Sequence, residues 1–143
     1  MHNFLKIVGS ALGILVGCII MATINGELVS FFAEVNWVII SIFALFGAAV
    51  GVVISAFEKD HGPVNMLKAS AISVIFILLI SMVITMAMVT LTIMNPDRPD
   101  PDLSIGWTDI AYFIRGVLVF GIPAAAGYVI LGKLSKPTPK ASD

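Results

Sequence analysis

The chain has 143 residues, of which 59% are hydrophobic and only 12% are charged, and its formal net charge at pH 7 is −1. A soluble domain carries about 25% charged residues, so a soluble fold of this composition would expose large apolar patches. The near-neutral charge gives no indication of nucleic-acid binding, and the single cysteine excludes an intramolecular disulfide and any cysteine-rich metal site. The composition favours an integral membrane protein surrounded by lipids.

Four long segments contain no Asp, Glu, Lys or Arg, namely 7–26, 35–57, 69–96 and 116–132. A membrane-spanning helix needs roughly 20 mostly apolar residues, within a range of about 17–25. The sequence therefore predicts an all-α membrane protein, a bundle of four transmembrane helices. We expect the helices at about 4–24, 35–57, 65–94 and 108–134, followed by a disordered cytoplasmic tail at 135–143.

The first predicted helix carries Gly9, Gly13 and Gly17 at four-residue spacing. These glycines share one helical face and predict a seam at which another helix packs closely. The sequence LVGC at 15–18 resembles the lipobox of bacterial lipoproteins, whose cysteine is lipidated after cleavage. Because the apolar run continues beyond this cysteine, we expect a retained helix rather than a processed signal.

The second predicted helix follows a short apolar segment at 28–32, which we expect to lie along the membrane interface rather than to cross it. Within the helix, Gly47, Gly51 and Ser55 form a second row of small residues. This row predicts another packing seam. The helix is expected to end before a short loop in which Gly62 and Pro63 stop it.

The third predicted helix carries hydroxyl side chains approximately on one face: Ser73, Ser81, Thr85 and Thr92. They are candidates for a narrow polar pathway, and the alternative is hydrogen bonding to the preceding turn or to neighbouring helices. Met82 and Met86 are spaced as in the MxxxM pair of Ctr-type copper transporters. The next helix lacks the GxxxG that accompanies that pair, so we interpret the methionines as flexible gap-fillers.

Three prolines between the third and fourth helices exclude helical structure there. The nearby Asp97, Asp100 and Asp102 predict a solvated acidic loop, with divalent-cation binding as the alternative. In the fourth predicted helix, Gly121 and Ala125 add to the small residues expected to pack against other helices. Pro123, between them, is expected to kink this helix.

Arg115 begins the uncharged part of the fourth helix, about two turns after Trp107. We expect it to act as an interfacial charge whose side chain extends to the outer headgroups. The alternative is a functional charge paired with Asp109 or Glu34.

The four uncharged segments also lack histidine. An ionisable residue deep in a membrane indicates function by default. Its absence argues against intramembrane haem ligation and against the proton relay of small multidrug exporters. No motif nominates a nucleophile or a phosphate-binding loop. We therefore expect no enzyme, no cofactor and no metal site.

The lysines indicate how the helices are oriented. Lys6 precedes the first uncharged segment, Lys59 and Lys68 lie between the second and third, and Lys133 follows the last. By the positive-inside rule these positions are cytoplasmic, so both termini are expected on that side. We expect the chain in a bacterial inner membrane.

Two functions are compatible with these features. The first is a non-catalytic accessory, assembly or scaffold subunit of a larger membrane complex, indicated by small-residue seams on three helices. The second is a small oligomeric channel or transporter. It is indicated by the hydroxyl face and by the similarity of 48–54 to 124–130, which allows two tandem hairpins, although chance similarity is the favoured account. We prefer the accessory role, with other transmembrane subunits or a second copy of the chain as partners.

Overall fold

The computed structural model describes residues 1–95, 97 and 105–136, and every regular element in these ranges is helical. The elements are α1 (His2–Ile24), α2 (Leu28–Ala33), α3 (Trp37–His61), α4 (Met66–Ile93) and α5 (Trp107–Leu134). Within the described residues, α1, α3, α4 and α5 are long and apolar enough to cross a membrane. At about 1.5 Å per residue, each exceeds the roughly 30 Å of a hydrocarbon core.

Local side-chain chemistry explains where two of the spanning helices begin. The Asn36 side-chain oxygen accepts the backbone N–H groups of Val38 at 3.0 Å and Ile39 at 3.3 Å. The Asn65 side-chain oxygen accepts the N–H of Lys68 at 2.9 Å. Each asparagine satisfies N–H groups that the first turn of a helix leaves without partners.

The helix bounds differ from the sequence prediction mainly at α3, which continues to His61 instead of ending near 57. It ends at Gly62, whose positive φ of 82° is favourable for glycine. The charge of Lys59 in the last turn complements the helix dipole. The extension places Glu58 on a helix rather than in a loop.

The other predicted segments can be compared with the structure only in part. The apolar segment after α1 forms the six-residue helix α2. Asp100 and Asp102 of the acidic loop lie outside the described residues, as does the predicted tail from 137 onward. Asp97 is described, and its backbone N–H donates to the Asn95 side chain at 3.2 Å.

Helix α1 lies between α5 and α3 and forms its most extensive interface with α5. The two backbones touch where side chains are absent. A Cβ added to Gly9 would overlap the carbonyl oxygen of Gly127, and one added to Gly13 would overlap that of Pro123. The Cα–H bonds of these glycines therefore point at carbonyl oxygens, a weak hydrogen-bond geometry that recurs between closely packed helices.

Pro123 contributes to this interface in a second way. Proline has no N–H, so a proline inside a helix leaves the carbonyl four residues earlier without its helical donor. That carbonyl belongs to Val119, and its oxygen would lie 2.8 Å from a Cβ on Gly17. The glycines of α1 thus meet carbonyls of α5 at regular four-residue steps, in antiparallel register.

Small residues of α3 meet the opposite side of α1. A Cβ on Gly47 would lie 2.7 Å from the Cα of Ala11, and one on Gly51 would lie 2.9 Å from the Cα of Ile7. Ser55, one turn further along, is half-buried. These distances leave no room for a larger side chain at either glycine.

Helix α5 also packs on α4. A Cβ on Gly121 would lie 2.9 Å from a methyl carbon of Val74 in α4. Ala125, on the following turn of α5, is fully buried in the core. The core formed by α1, α3 and α5 also contains other fully buried apolar side chains: Ile14, Val50, Ile54 and Ala124.

Helix α4 joins this core only through its first half. Ala69, Ser73 and Ile77 are its buried residues, and Phe76 stacks on Phe46 of α3 with ring centroids 6.3 Å apart. After Ile77 the large apolar side chains are exposed or half-buried. The second half of α4 therefore has no fully buried side chain and presents most of its surface outward.

Replacing Gly13 by alanine should destabilise the bundle, because the added methyl overlaps the Pro123 carbonyl. Overpacking of this kind costs about 1–3 kcal/mol, which outweighs the gain of about 1 kcal/mol in helix propensity. Gly116→Ala is the matched control, since its nearest neighbour is a flexible Met21 methyl at 4.0 Å. Unfolding in mixed micelles with increasing dodecyl sulfate measures both, and equal stability of the two variants would contradict the close contact.

Candidate functional site

Three helices meet through polar side chains at the end of the bundle that contains Lys6, Glu58 and Lys133, here named the lysine end. The Lys6 Nζ of α1 lies 2.7 Å from the Glu58 Oε2 of α3. The Tyr128 hydroxyl of α5 donates to the same oxygen, also at 2.7 Å. These residues form the Lys6–Glu58–Tyr128 cluster, in which one carboxylate oxygen joins three helices.

The cluster is largely removed from solvent. Tyr128 is 1% exposed and Lys6 is 9% exposed, and the Lys6 Nζ also lies 5.4 Å from the centre of the Tyr128 ring. Gly132 provides space for the lysine, because a Cβ there would lie 3.0 Å from the Lys6 Cε. Low dielectric surroundings strengthen such bonds and make the loss of either charged partner costly.

A cavity of about 110 Å³ adjoins the cluster, with Pro63 and Val64 on one side and the exposed Lys133 and Lys136 at its edge. The Glu58 carboxylate accepts two donors on one oxygen, so it is committed to an ion pair rather than free to act as a base. The arrangement can fix the relative positions of three helices.

The lysine end also brings the two ends of the described chain together. The Ser135 hydroxyl, just after α5, contacts the ring nitrogen Nδ1 of His2 at the start of α1. The same hydroxyl donates to the Gly132 carbonyl at 3.1 Å. The start of α1 and the end of α5 therefore lie next to each other at the lysine end.

Sequence reasoning missed this cluster. The sequence pattern places Glu58 in a loop, Lys6 before the first uncharged segment and Tyr128 within the last uncharged segment. A usable signal was present, since Lys6 precedes the first uncharged segment and Glu58 follows the second. An antiparallel helix pair places these opposite charges at the same level. Nothing in the sequence indicated that Tyr128 would join them.

Arg115 lies at the other end of the bundle, here named the α2 end. Its Nη2 donates to the Asn25 side-chain oxygen at 3.3 Å, and its guanidinium carbon lies 4.8 Å from the centre of the Tyr112 ring. Among the described residues, neither Asp109 nor Glu34 forms an ion pair with it. Its polar contact is with a neutral amide.

The hydroxyl residues of α4 are spread between packed and exposed surroundings. Ser73 is buried and donates to the Ala69 carbonyl at 2.9 Å, and Ser81 is half-buried. Thr85 is exposed and bonds the Ser81 carbonyl at 2.8 Å. Thr92 is half-buried and bonds the carbonyl one turn earlier, also at 2.8 Å. Three of the four hydroxyls thus have acceptors within their own helix.

Four apolar helices of spanning length, packed through small residues, define the chain as a multi-pass helical membrane protein. No protein-family model, curated protein or solved structure matches it. The contacts of its charged side chains lie at the two ends, in the Lys6–Glu58–Tyr128 cluster at one and between Arg115 and Asn25 at the other.

Breaking the cluster should destabilise the fold more than removing an exposed charge. Lys6→Met leaves Glu58 without its cation, and we expect a loss of about 2–3 kcal/mol. Fully buried pairs lose about 3–5 kcal/mol, and Glu58 retains some contact with water. Tyr128→Phe should cost about 1 kcal/mol.

The control for these variants is Lys59→Met, which removes the exposed lysine next to Glu58 and should change stability little. The double variant Lys6→Met/Glu58→Met should recover part of the loss, because no unpaired charge remains. Dodecyl sulfate unfolding of the single and double variants measures the coupling energy. A coupling energy near zero would show that the ion pair does not hold α1 to α3.

Proposed function

We propose that the chain is a non-catalytic accessory or assembly subunit of a larger membrane complex, and that it binds its partner through the second half of α4. The observation that carries this proposal is the exposure of the apolar side chains on that half. Residues 78–93 of α4 extend for about 24 Å, and large apolar side chains project from this length into the surroundings, with Met86 70% exposed.

The chemistry of this surface suits a protein partner. Lipid tails are as apolar as helix surfaces, so helices associate in membranes through close packing rather than through the hydrophobic effect. The exposed half of α4 carries Met82, Met86 and Met88, and Met94 follows the helix directly, so four of the chain's seven methionines lie in this region. Unbranched, polarizable methionine side chains adapt to irregular partners and are abundant at protein-docking surfaces.

An apolar groove adjoins this surface and also suits a protein partner. It lies between α4 and α5, has a volume of about 430 Å³ and is lined by Met82, Met86, Ile110 and Phe113. Thr85 and Asp109 supply polar groups along its wall. The side chains of a partner helix could fill this space with apolar contacts and a few polar ones. We name it the α4–α5 groove.

The interior supports this role better than transport through a single copy. The α1 and α5 backbones are in direct contact, and Ile14, Val50 and Ala124 between the helices are 0% exposed. The polar cluster lies at one end, and the hydroxyls of Ser73, Thr85 and Thr92 in α4 bond within their own helix. The described core therefore contains closely packed apolar side chains rather than a row of polar groups.

A photoreactive side chain tests the docking surface. Benzoylphenylalanine at position Met86 should crosslink one membrane partner that also co-purifies in a fixed ratio. The same residue at Leu45 of α3 is the matched control, since Leu45 is 71% exposed and lies at a similar depth on another face. Met82→Trp, which fills the groove, should reduce co-purification, whereas Leu45→Trp should not.

Other outcomes would reject the accessory role. A chain that purifies alone and gives no Met86-specific adduct has no partner at this surface. An adduct between two copies of the chain would favour the oligomeric channel. Flux through proteoliposomes, compared with that of Ser81→Ala and Thr85→Val, would then be the deciding measurement.

We also propose that the lysine end faces the cytoplasm of a bacterial cell, as the positive-inside rule implies. With Cys18 replaced by alanine, a cysteine at Lys136 reports the lysine end and one at Glu27 reports the α2 end; both positions are exposed. A membrane-impermeant maleimide should label the Glu27 position in intact cells and the Lys136 position only after permeabilisation. The reverse pattern would invert the assigned orientation.

A further inference from the structure

An apolar groove opens at the α2 end, on a different side of the bundle from the α4–α5 groove. It has a volume of about 390 Å³ and lies among α1, α2, α3 and one residue of α5. Apolar side chains of all four helices line it: Leu15, Ile19, Phe31, Ile39, Phe43 and Phe120. Ile39 is 50% exposed, so the groove, named the α2 groove, is open at the surface.

The polar residues of the α2 groove lie towards its end away from Leu15. Asn25 and Glu27 contribute to its lining, and both are exposed. Along α1, the lining runs from Leu15 to Ala22, about 10 Å, before it reaches these polar residues. A long apolar wall that ends in polar groups matches an amphiphile with a chain and a headgroup.

Arg115 supplies a cation beside this end of the groove: it is not one of the lining residues, but it contacts the lining residue Asn25. Its Nη2 bonds Asn25 at 3.3 Å, while its Nε is buried and has no hydrogen-bond partner among the described residues. An arginine carries five N–H donors in a fixed fork. The contact with Asn25 uses one of these N–H groups. The guanidinium therefore still has N–H donors available for a negatively charged acceptor.

The position and charge of this end of the groove indicate the chemistry of its ligand. Trp37 and Trp107, at the starts of α3 and α5, mark the α2 end as the level of the membrane interface. Guanidinium forks match phosphate oxygens. Glu27 is one of the residues that line the groove and carries a negative charge. This charge repels a purely anionic headgroup and can form an ion pair with an amine.

We propose that the α2 groove binds one molecule of a zwitterionic glycerophospholipid with an amine headgroup, such as phosphatidylethanolamine. The phosphate diester accepts hydrogen bonds from Arg115, the amine faces Glu27, and one acyl chain lies along Ile19, Ile39 and Phe43. The lipid belongs to the leaflet on the side of α2. The site uses neither the α4–α5 groove nor the Lys6–Glu58–Tyr128 cluster, so it stands independently of the accessory role.

The test uses the full chain, reconstituted with equal amounts of phosphatidylethanolamine and phosphatidylglycerol of identical acyl chains and examined by native mass spectrometry. One phosphatidylethanolamine should stay bound per chain. Arg115→Gln should weaken its retention by about tenfold, the factor expected for loss of a charge-assisted hydrogen bond. Ile39→Trp should also reduce retention, because the larger side chain occupies the groove.

Matched controls separate binding from general damage. Lys133→Gln removes an exposed cation at the opposite end, and Leu45→Trp adds the same side chain to α3 outside the groove; both should retain the lipid. Circular dichroism and gel filtration verify that every variant is folded. A phosphatidylethanolamine with a photoreactive acyl chain should label peptides of α1 or α3 that line the groove, and Ile39→Trp should abolish that labelling.

Three results would overturn the proposal. Unchanged retention in both Arg115→Gln and Ile39→Trp would show that the groove holds no specific lipid. If Ile39→Trp lost the lipid but Arg115→Gln retained it, the proposed contact between Arg115 and the phosphate would be wrong. Preferential retention of phosphatidylglycerol would contradict the pairing of Glu27 with an amine.

Discussion

Helices α1 and α5 touch backbone to backbone, and the rest of the bundle is arranged around that contact. In a bilayer, helices associate with one another through close packing, because lipid tails are no less apolar than the helices. Gly9, Gly13 and Gly17 allow the approach on one side, and carbonyl oxygens of α5 meet them on the other. Pro123 strengthens the match, since it frees the Val119 carbonyl within α5.

The register set by this interface determines which polar groups meet. The antiparallel register that brings Gly9 to Gly127 also brings Lys6 across Gly132, where the absence of a side chain lets the lysine reach inward. Its ammonium there meets Glu58, and Tyr128 completes the cluster. A one-residue rotation of α1 would leave the half-buried Glu58 carboxylate without its cation, which is destabilising. Packing and electrostatics therefore select the same arrangement.

The two ends of the bundle have different physical properties. At the lysine end, α1, α3 and α5 share an ion pair and a phenol hydrogen bond. At the α2 end, the second half of α4 exposes its apolar side chains and two apolar grooves open. The polar contacts of the lysine end hold three helices together, and the grooves of the α2 end offer surfaces to other molecules. The proposed partner and the proposed lipid both occupy the α2 end, on different faces, so each can be tested without disturbing the other.

The sequence by itself determined the class of protein and the four candidate spans, because charge-free length and helix-breaking residues act locally. Glycine spacing also indicated which faces could approach closely. Only the tertiary structure decided which helices share those faces, that Glu58 remains helical, and that Tyr128 reaches it across 70 residues of chain. It likewise decided that Arg115 meets Asn25 rather than an acidic residue. Such pairings depend on helix order, rotation and register, which apolar segments of similar composition do not encode individually.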